Sequence, residues 1–374
     1  MSGLYLHIPF CASRCIYCGF YSTTNRDLQD RYVEMLCKEM EIRKQYLAES
    51  GDNQISTVYL GGGTPSQLSA ANLDKLFNTI DRLYGISGLD EVTMECNPDD
   101  VTPQYVEILK RLPVNRVSMG AQSFSDKRLK FLRRRHTSQE VEQAVDLLKG
   151  IGISNISIDL IFGFPNETIE EWTTDIERAI GLDVKHLSAY SLMYEEGTPL
   201  YRMKQQGELK EIDEDTSLQM YNELIDRLTA VGFEHYEISN FAIPGYRSKH
   251  NSSYWHAIPY IGIGASAHSY DKKSRQWNIS DINKYMETIE KGNIPMEREL
   301  LDDDTKYDDL VTTALRTIDG IDLLSLDSMH KDYLMDNARQ YIDRKLMEVK
   351  DNKLRLTRSG LFISDTIMSD LMKI

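Results

Sequence analysis

Across its 374 residues the chain has no apolar run long enough to cross a bilayer, and Met1 leads into the strand-like "LYLHIPF" without a basic leader. No transmembrane segment and no signal peptide are expected, and a cytoplasmic protein is. Positive charge is in deficit: 43 Lys and Arg stand against 58 Asp and Glu, for a formal net charge of −15. A surface of that sign opposes nucleic acid and anionic lipid, so neither is expected as a direct partner. Cysteine is scarce as well. Five occur, three of them inside one short stretch, which is too few and too local for a secreted disulfide framework. Internal repeats and low-complexity segments are also missing.

The length exceeds what one core usually fills, so a large domain with a smaller companion is expected. Short apolar runs at 4–8, 57–61, 91–95, 116–120, 156–163 and 186–192 read as strands. Amphipathic stretches at 27–49, 67–84, 103–111, 126–150 (broken near His136 and Thr137), 167–181 and 213–231 read as helices. Strand followed by helix, six times over, implies parallel strands joined by right-handed crossovers, an α/β partial (β/α)6 barrel over residues 1–240. Gly, Pro, Ser and aromatics break the pattern after residue 240. Residues 241–284 are read as an ordered connecting segment across the barrel mouth, and 285–374 as a small, mainly helical domain with a β-wing.

In such a barrel the chemistry sits in the loops after the strands. "HIPFCASRCIYC" follows the first strand, "GGGTPS" the second, "ECNPDD" the third, "GAQSF" the fourth and "GFPNET" the fifth. The first of these holds Cys11, Cys15 and Cys18. A structural zinc site would want a fourth Cys or His, for which His7 is the one candidate nearby. A 4Fe-4S cube held by three thiolates keeps one iron open to another ligand, and CxxxCxxC spacing lets one loop wrap three corners. Cys37 sits at helical spacing among apolar neighbours and Cys96 lies in "ECNPDD"; both are expected to pack as small hydrophobes.

The loop "CASRCIYC" resembles the cluster loop of radical S-adenosylmethionine (SAM) enzymes, and "GGGTP" (61–65) fits the same superfamily. The resemblance implies that the open iron chelates SAM and that a reduced cluster cleaves it to a 5′-deoxyadenosyl radical. "YLHIPFC", "GGGTPS", "GAQSF…LRRRH", "IDLIFGFPNET" and "LTRSGLF" together resemble the oxygen-independent coproporphyrinogen III oxidase family over nearly the whole chain. Carried over by position, Tyr5, Gly62, Gly63, Thr64 and Glu95 would contact the cluster-bound SAM or its neighbourhood. Tyr17 would lie beside the cluster against adenine, and Gln122, Arg134 and Asp159 match positions that hold a second SAM in the oxidase. Each has a plainer reading: a Glu at a strand end often only anchors a loop, and an Arg in "LRRRH" can be solvated.

Three features separate the chain from the oxidase proper. Four residues precede Tyr5, where the oxidase carries an extension into its active site, and Phe20 stands where the oxidase has a further cysteine. The third feature is "HNSSYW", His250 to Trp255, which matches the HNxxYW signature of the family's HemW-type haem-chaperone branch. Neutral imidazole is a good axial ligand for haem iron, and Tyr254 and Trp255 offer flat faces to a porphyrin. A haem chaperone is therefore expected, binding a 4Fe-4S cluster, SAM and haem, with His250 as the haem ligand and His256 or His268 as nearby substitutes. Its partners would be recipient haem proteins, respiratory and membrane-associated ones among them. The alternative is a coproporphyrinogen oxidase, which removes two propionate carboxylates by radical chemistry.

Overall fold

The computed structural model describes residues 2–50 and 54–373. Six strands, β1 (Ser2–Ile8), β2 (Ile55–Gly62), β3 (Glu91–Cys96), β4 (Arg116–Gln122), β5 (Asn155–Phe162) and β6 (His186–Ser191), lie side by side in chain order, each parallel to the next. Between them run helices Gln29–Ile42, Ala70–Tyr84, Pro103–Leu109, Ser138–Gly150 and Ile169–Gly181, and Glu214–Ala230 follows β6. Their starts are written locally. Ser69, Thr102, Thr137, Thr168 and Asp213 each accept a backbone N–H from the first helical turn, and Thr137–Glu140 and Thr168–Glu171 form reciprocal capping boxes. The partial α/β barrel read from the sequence is the fold observed.

The strands are buried on both faces, but the two faces differ. Leu4, Leu6, Ile8, Val58, Leu60, Met94, Val117, Met119, Ile158 and Leu187 join the apolar core with the helices. The alternate residues, among them Tyr59, Glu95, Arg116, Ser118, Asp159 and Ser188, face a shared cavity inside the sheet's curve. Period-two alternation thus gives this barrel a polar interior, suited to holding a ligand rather than filling a core.

The segment after β6 corrects one expectation. Residues 241–284 do not cross the barrel mouth. β7 (Glu234–Glu237) and β8 (Asn240–Ala242) extend the sheet beyond β6, and β9 (Tyr260–Ile263) pairs in parallel with β1 on the opposite edge. From there β10 (His268–Tyr270), β11 (Ser274–Asn278) and β12 (Met296–Leu300) continue antiparallel, completing a twelve-stranded sheet. To enter β9 parallel to β1, the chain must first return to the N-terminal ends of the strands. The helix Lys249–Trp255 therefore lies under the barrel floor, against the starts of β1, β2 and β3.

A second core, built on Tyr307, Val311, Leu315, Leu334, Leu354 and Ile367, gathers helices Asp303–Ala314, Ser328–Asp343 and Ser364–Leu371 around a three-stranded wing of β13 (Ile321–Asp322), β14 (Met347–Lys350) and β15 (Lys353–Leu356). It begins later than residue 285, because Tyr285, Met286 and Ile289 pack into the first core and β12 belongs to the large sheet. Among the described residues no helix is long and apolar enough to cross a membrane.

Candidate functional site

The loop leaving β1 is anchored by Phe10, fully buried edge-on against Tyr32, and by the Cys11 N–H, which donates to the Thr23 carbonyl at 2.9 Å. Cys11, Cys15 and Cys18 are free thiols, each partly buried, and all three line one cavity of about 190 Å³. Thr64 Oγ1 donates to Cys11 Sγ at 3.5 Å and Arg134 Nη1 to Cys15 Sγ at 3.6 Å. Burial pushes the Cys11 and Cys18 thiols up, so without a metal they hold their protons; ligation would release them. Three soft donors beside a guanidinium suit an iron–sulfur cluster better than a hard cation.

The glycine run has its own structural reason. A Cβ on Gly63 would stand 2.6 Å from the carbonyl carbon of Pro9, and one on Gly62, where φ is +110°, would stand 2.5 Å from the His7 ring. The end of β2 can approach the cysteine loop only without side chains. Gly62 N donates to Glu95 Oε2 at 3.1 Å and Tyr59 Oη to Oε1 at 2.8 Å. Burial, with a smaller contribution from Asp159, nonetheless raises the Glu95 pKa to about 7.

Gln122, Arg134, Asp159 and Tyr17 reach the same cavity. Gln122 adopts φ 66°, a left-handed conformation uncommon outside glycine, which turns the chain at the end of β4. Arg134 is held by Asn97 Oδ1 at 2.8 Å and the Gly120 carbonyl at 2.7 Å, while its buried Nε has no hydrogen-bond partner among the described residues. That spare donor fits an anionic ligand. Burial raises the Asp159 pKa to about 6 against the nearby hydroxyl of Ser188 and the charges of Arg116 and Arg134. Tyr5 is the exception among the SAM candidates. It does not line the cavity; its hydroxyl pairs with His7 Nδ1 at 3.1 Å and its ring tilts against Tyr59, its cross-strand partner on β2.

A second cavity, of about 360 Å³, adjoins the first and shares Tyr17, Cys18, Phe20, Glu95, Ser118, Gln122 and Asp159 with it. Its mouth carries Phe20, Met193 and Tyr190, 71 %, 61 % and 45 % exposed, with the exposed Glu195 carboxylate and Ser191 at the rim. Its inner wall carries Tyr59, Arg116, Ser188 and Asn251. The sequence reading missed Arg116, Tyr190 and Met193. Arg116 is the first residue of its strand, "RVSM", where a charge ordinarily reads as a solvated end.

His250 is placed elsewhere than expected. It is fully buried on the barrel floor, with Nδ1 2.8 Å from Thr57 Oγ1 and Nε2 2.8 Å from Tyr254 Oη. Its backbone N–H and that of Lys249 donate to Glu91, tying the helix start to β3. Burial, reinforced by the nearby Arg116 charge, lowers its pKa to about 3. The ring is neutral and both of its nitrogens face hydroxyls, so the expected axial ligation of haem by His250 would need Thr57 or Tyr254 to give way. His256 Nδ1 faces the Ser252 carbonyl at 2.7 Å. His268 is exposed and stacks on Trp277, with centroids 6.0 Å apart.

The Radical SAM superfamily model matches residues 5–179. Curated relatives named "Heme chaperone HemW" align along nearly the full length: one from Lactococcus lactis at 32 % identity, covering 99 % of this chain and 97 % of the relative, and one from Bacillus subtilis at 34 %, covering 98 % of each. Another from Escherichia coli is 36 % identical over 71 % of this chain and 69 % of its own. Among solved structures, the coproporphyrinogen III oxidase of E. coli superimposes with a TM-score of 0.83 at 21 % identity, covering 99 % of this chain and 90 % of that one, a likeness of fold.

Proposed function

Because the chain belongs to the heme chaperone HemW family within the radical SAM superfamily, we propose that it binds haem and passes it to recipient haem proteins, respiratory ones included. A 4Fe-4S cluster on Cys11, Cys15 and Cys18 accompanies it, with SAM held by Gly62, Gly63, Thr64, Glu95 and Tyr17. When bound, such a cluster supplies an electron at the sulfonium of SAM. The chain's own residues orient and neutralise: Arg134 offers its unpaired Nε to an anionic group, and Thr64 and Arg134 donate to the thiol sulfurs.

The observation that carries this reading is the pair of cavities with a common wall. One is polar and lined by three thiols, and the other has Phe20, Tyr190 and Met193 at its mouth. The first fits cluster and SAM, the second the edge of a flat, largely apolar ring. The test is an anaerobic haem titration, followed at the Soret band, of cluster-reconstituted and cluster-free protein. Saturable binding at one equivalent is expected in both. Loss of all haem binding with the cluster would sink the two-site reading.

A second reading, coproporphyrinogen oxidase, has one observation in its favour: Gln122 and Asp159 line both cavities and Arg134 the first, placed to act on a ligand in the second. Anaerobic incubation with coproporphyrinogen, SAM and a reductant decides between them. The chaperone reading expects neither carbon dioxide nor protoporphyrinogen.

A further inference from the structure

Arg116 opens β4 with its side chain in the polar interior of the barrel, 1 % exposed. Its Nε stands 4.0 Å from Glu91 Oε2, beyond hydrogen-bond reach. Glu91 is engaged elsewhere, accepting from Lys249 N at 2.8 Å, His250 N at 3.1 Å and Thr93 Oγ1 at 3.1 Å. Both Nε and Nη1 of Arg116 are buried with no hydrogen-bond partner among the described residues. A guanidinium with two unmade hydrogen bonds in a water-poor wall is costly. Arg116 nevertheless lines the second cavity, whose far end is the mouth of Phe20, Tyr190 and Met193.

The carboxyls that share the cavity do not remove that cost. Glu95 accepts from Tyr59 and Gly62, and Ser188 gives its hydroxyl proton to Asn240. The Arg116 charge favours the ionised forms of Glu95 and Asp159 against burial, but neither carboxyl hydrogen-bonds to its Nε or Nη1. The cavity thus presents a cation with spare, forked donors at its inner end and, at its entrance, the exposed Phe20, Tyr190 and Met193 with Glu195 at the rim. That pattern suits an amphipathic ligand with a carboxylate on a short arm and a flat body that stays near the mouth.

We propose that Arg116 is the receptor for a haem propionate, which enters the second cavity from its mouth while the ring rests on Phe20, Tyr190 and Met193. The inference rests on the haem reading above. A carboxylate could also arrive on a SAM molecule, and the experiment separates the two sources.

The test compares titration of the reconstituted wild-type protein with haem and with its dimethyl ester, with and without saturating SAM, and repeats the series in Arg116→Gln. Wild type is expected to prefer the free acid by at least about tenfold, the scale of one charge-assisted hydrogen bond. Arg116→Gln should lose the preference while retaining iron. Equal affinity of wild type for acid and ester would overturn the assignment and leave the haem reading in place. No saturable binding of either would overturn both. If Arg116→Gln instead weakens SAM binding and keeps the acid preference, the carboxylate is that of SAM and the propionate assignment falls. Should Arg116→Gln fail to fold, the wild-type comparison of acid with ester still decides.

Discussion

The ring of Tyr59 stacks on the imidazole of His250, with centroids 5.2 Å apart at 29°, while the Tyr59 hydroxyl donates to Glu95 at 2.8 Å. One side chain thus spans from the floor helix to the wall of the thiol-lined cavity. The role of the HNxxYW segment follows from it: the segment closes the barrel from below and fixes, through Tyr59, the carboxyl above.

His250→Ala is expected to act on stability rather than on haem coordination. It removes a fully buried ring and leaves the Thr57 and Tyr254 hydroxyls unpaired, at a cost of about 2–4 kcal/mol. Denaturant unfolding measures the loss. In the variant that remains folded, the haem Soret maximum and the one-to-one stoichiometry should match wild type. A displaced Soret band in folded protein would return the axial-ligand role to this residue.

Acid stability provides a separate readout of the same ring. The folded His250 pKa is lowered to about 3, far below the ordinary value of 6.5. Between those values the unfolded chain binds a proton that the folded one refuses. The stabilisation from the neutral ring is therefore complete above pH 6.5 and declines on acidification toward pH 3, by about 1.4 kcal/mol per pH unit. His7 and His136, lowered to about 4 and about 3, add slope of the same sign. In His250→Gln the fall in unfolding free energy from pH 6 to pH 4 should be shallower than in wild type by about one proton's worth. Parallel curves for the two proteins would mean that His250 is already protonated in the fold.

Much of this arrangement was readable beforehand, for reasons visible in particular residues. Strands buried on both faces read as apolar runs, and Thr137 and Thr168 with Glu three positions on signalled helix starts. The spacing of Cys11, Cys15 and Cys18 put three thiols in one loop, and the structure brings all three to one cavity. The side of the barrel crossed by His250–Trp255 was hidden, because it depends on β9 pairing in parallel with β1, a contact between residues about 257 positions apart. Arg116 was hidden for another reason. One charge at the start of a strand looks like a solvated end until the curvature of the sheet turns that face inward.

The cysteines should divide into two classes on substitution. Changing Cys11, Cys15 or Cys18 to Ala removes a partly buried thiol outside the apolar core, so far-ultraviolet circular dichroism should be unchanged. Iron after reconstitution should fall from about four per chain to near zero. Cys37 and Cys96 belong to the core, and Thr79 Oγ1 donates to Cys37 Sγ at 3.3 Å. Their Ala variants should keep the iron and lose about 1 kcal/mol of stability. Full iron loading of a Cys15→Ala protein would rule out three-thiolate ligation by this loop.

The cavity mouth separates haem binding from everything beneath it. Phe20 and Met193 are 71 % and 61 % exposed, so replacing both with Asp takes nothing from the core and should leave the unfolding midpoint within the narrow range of surface substitutions. A porphyrin resting on them, however, covers apolar surface that the change makes charged. Losing the burial of even part of an aromatic side chain costs about 1–2 kcal/mol, or about tenfold in affinity. The double variant should therefore show at least that weakening in haem titration. Phe20 also lines the thiol cavity, so Met193→Asp alone, which touches only the second cavity, is the change expected to weaken haem while keeping iron content and SAM binding as in wild type. Unchanged haem affinity in the double variant would place the ring somewhere other than the cavity beside the thiols, and the exposed His268, stacked on Trp277, would become the next position to substitute.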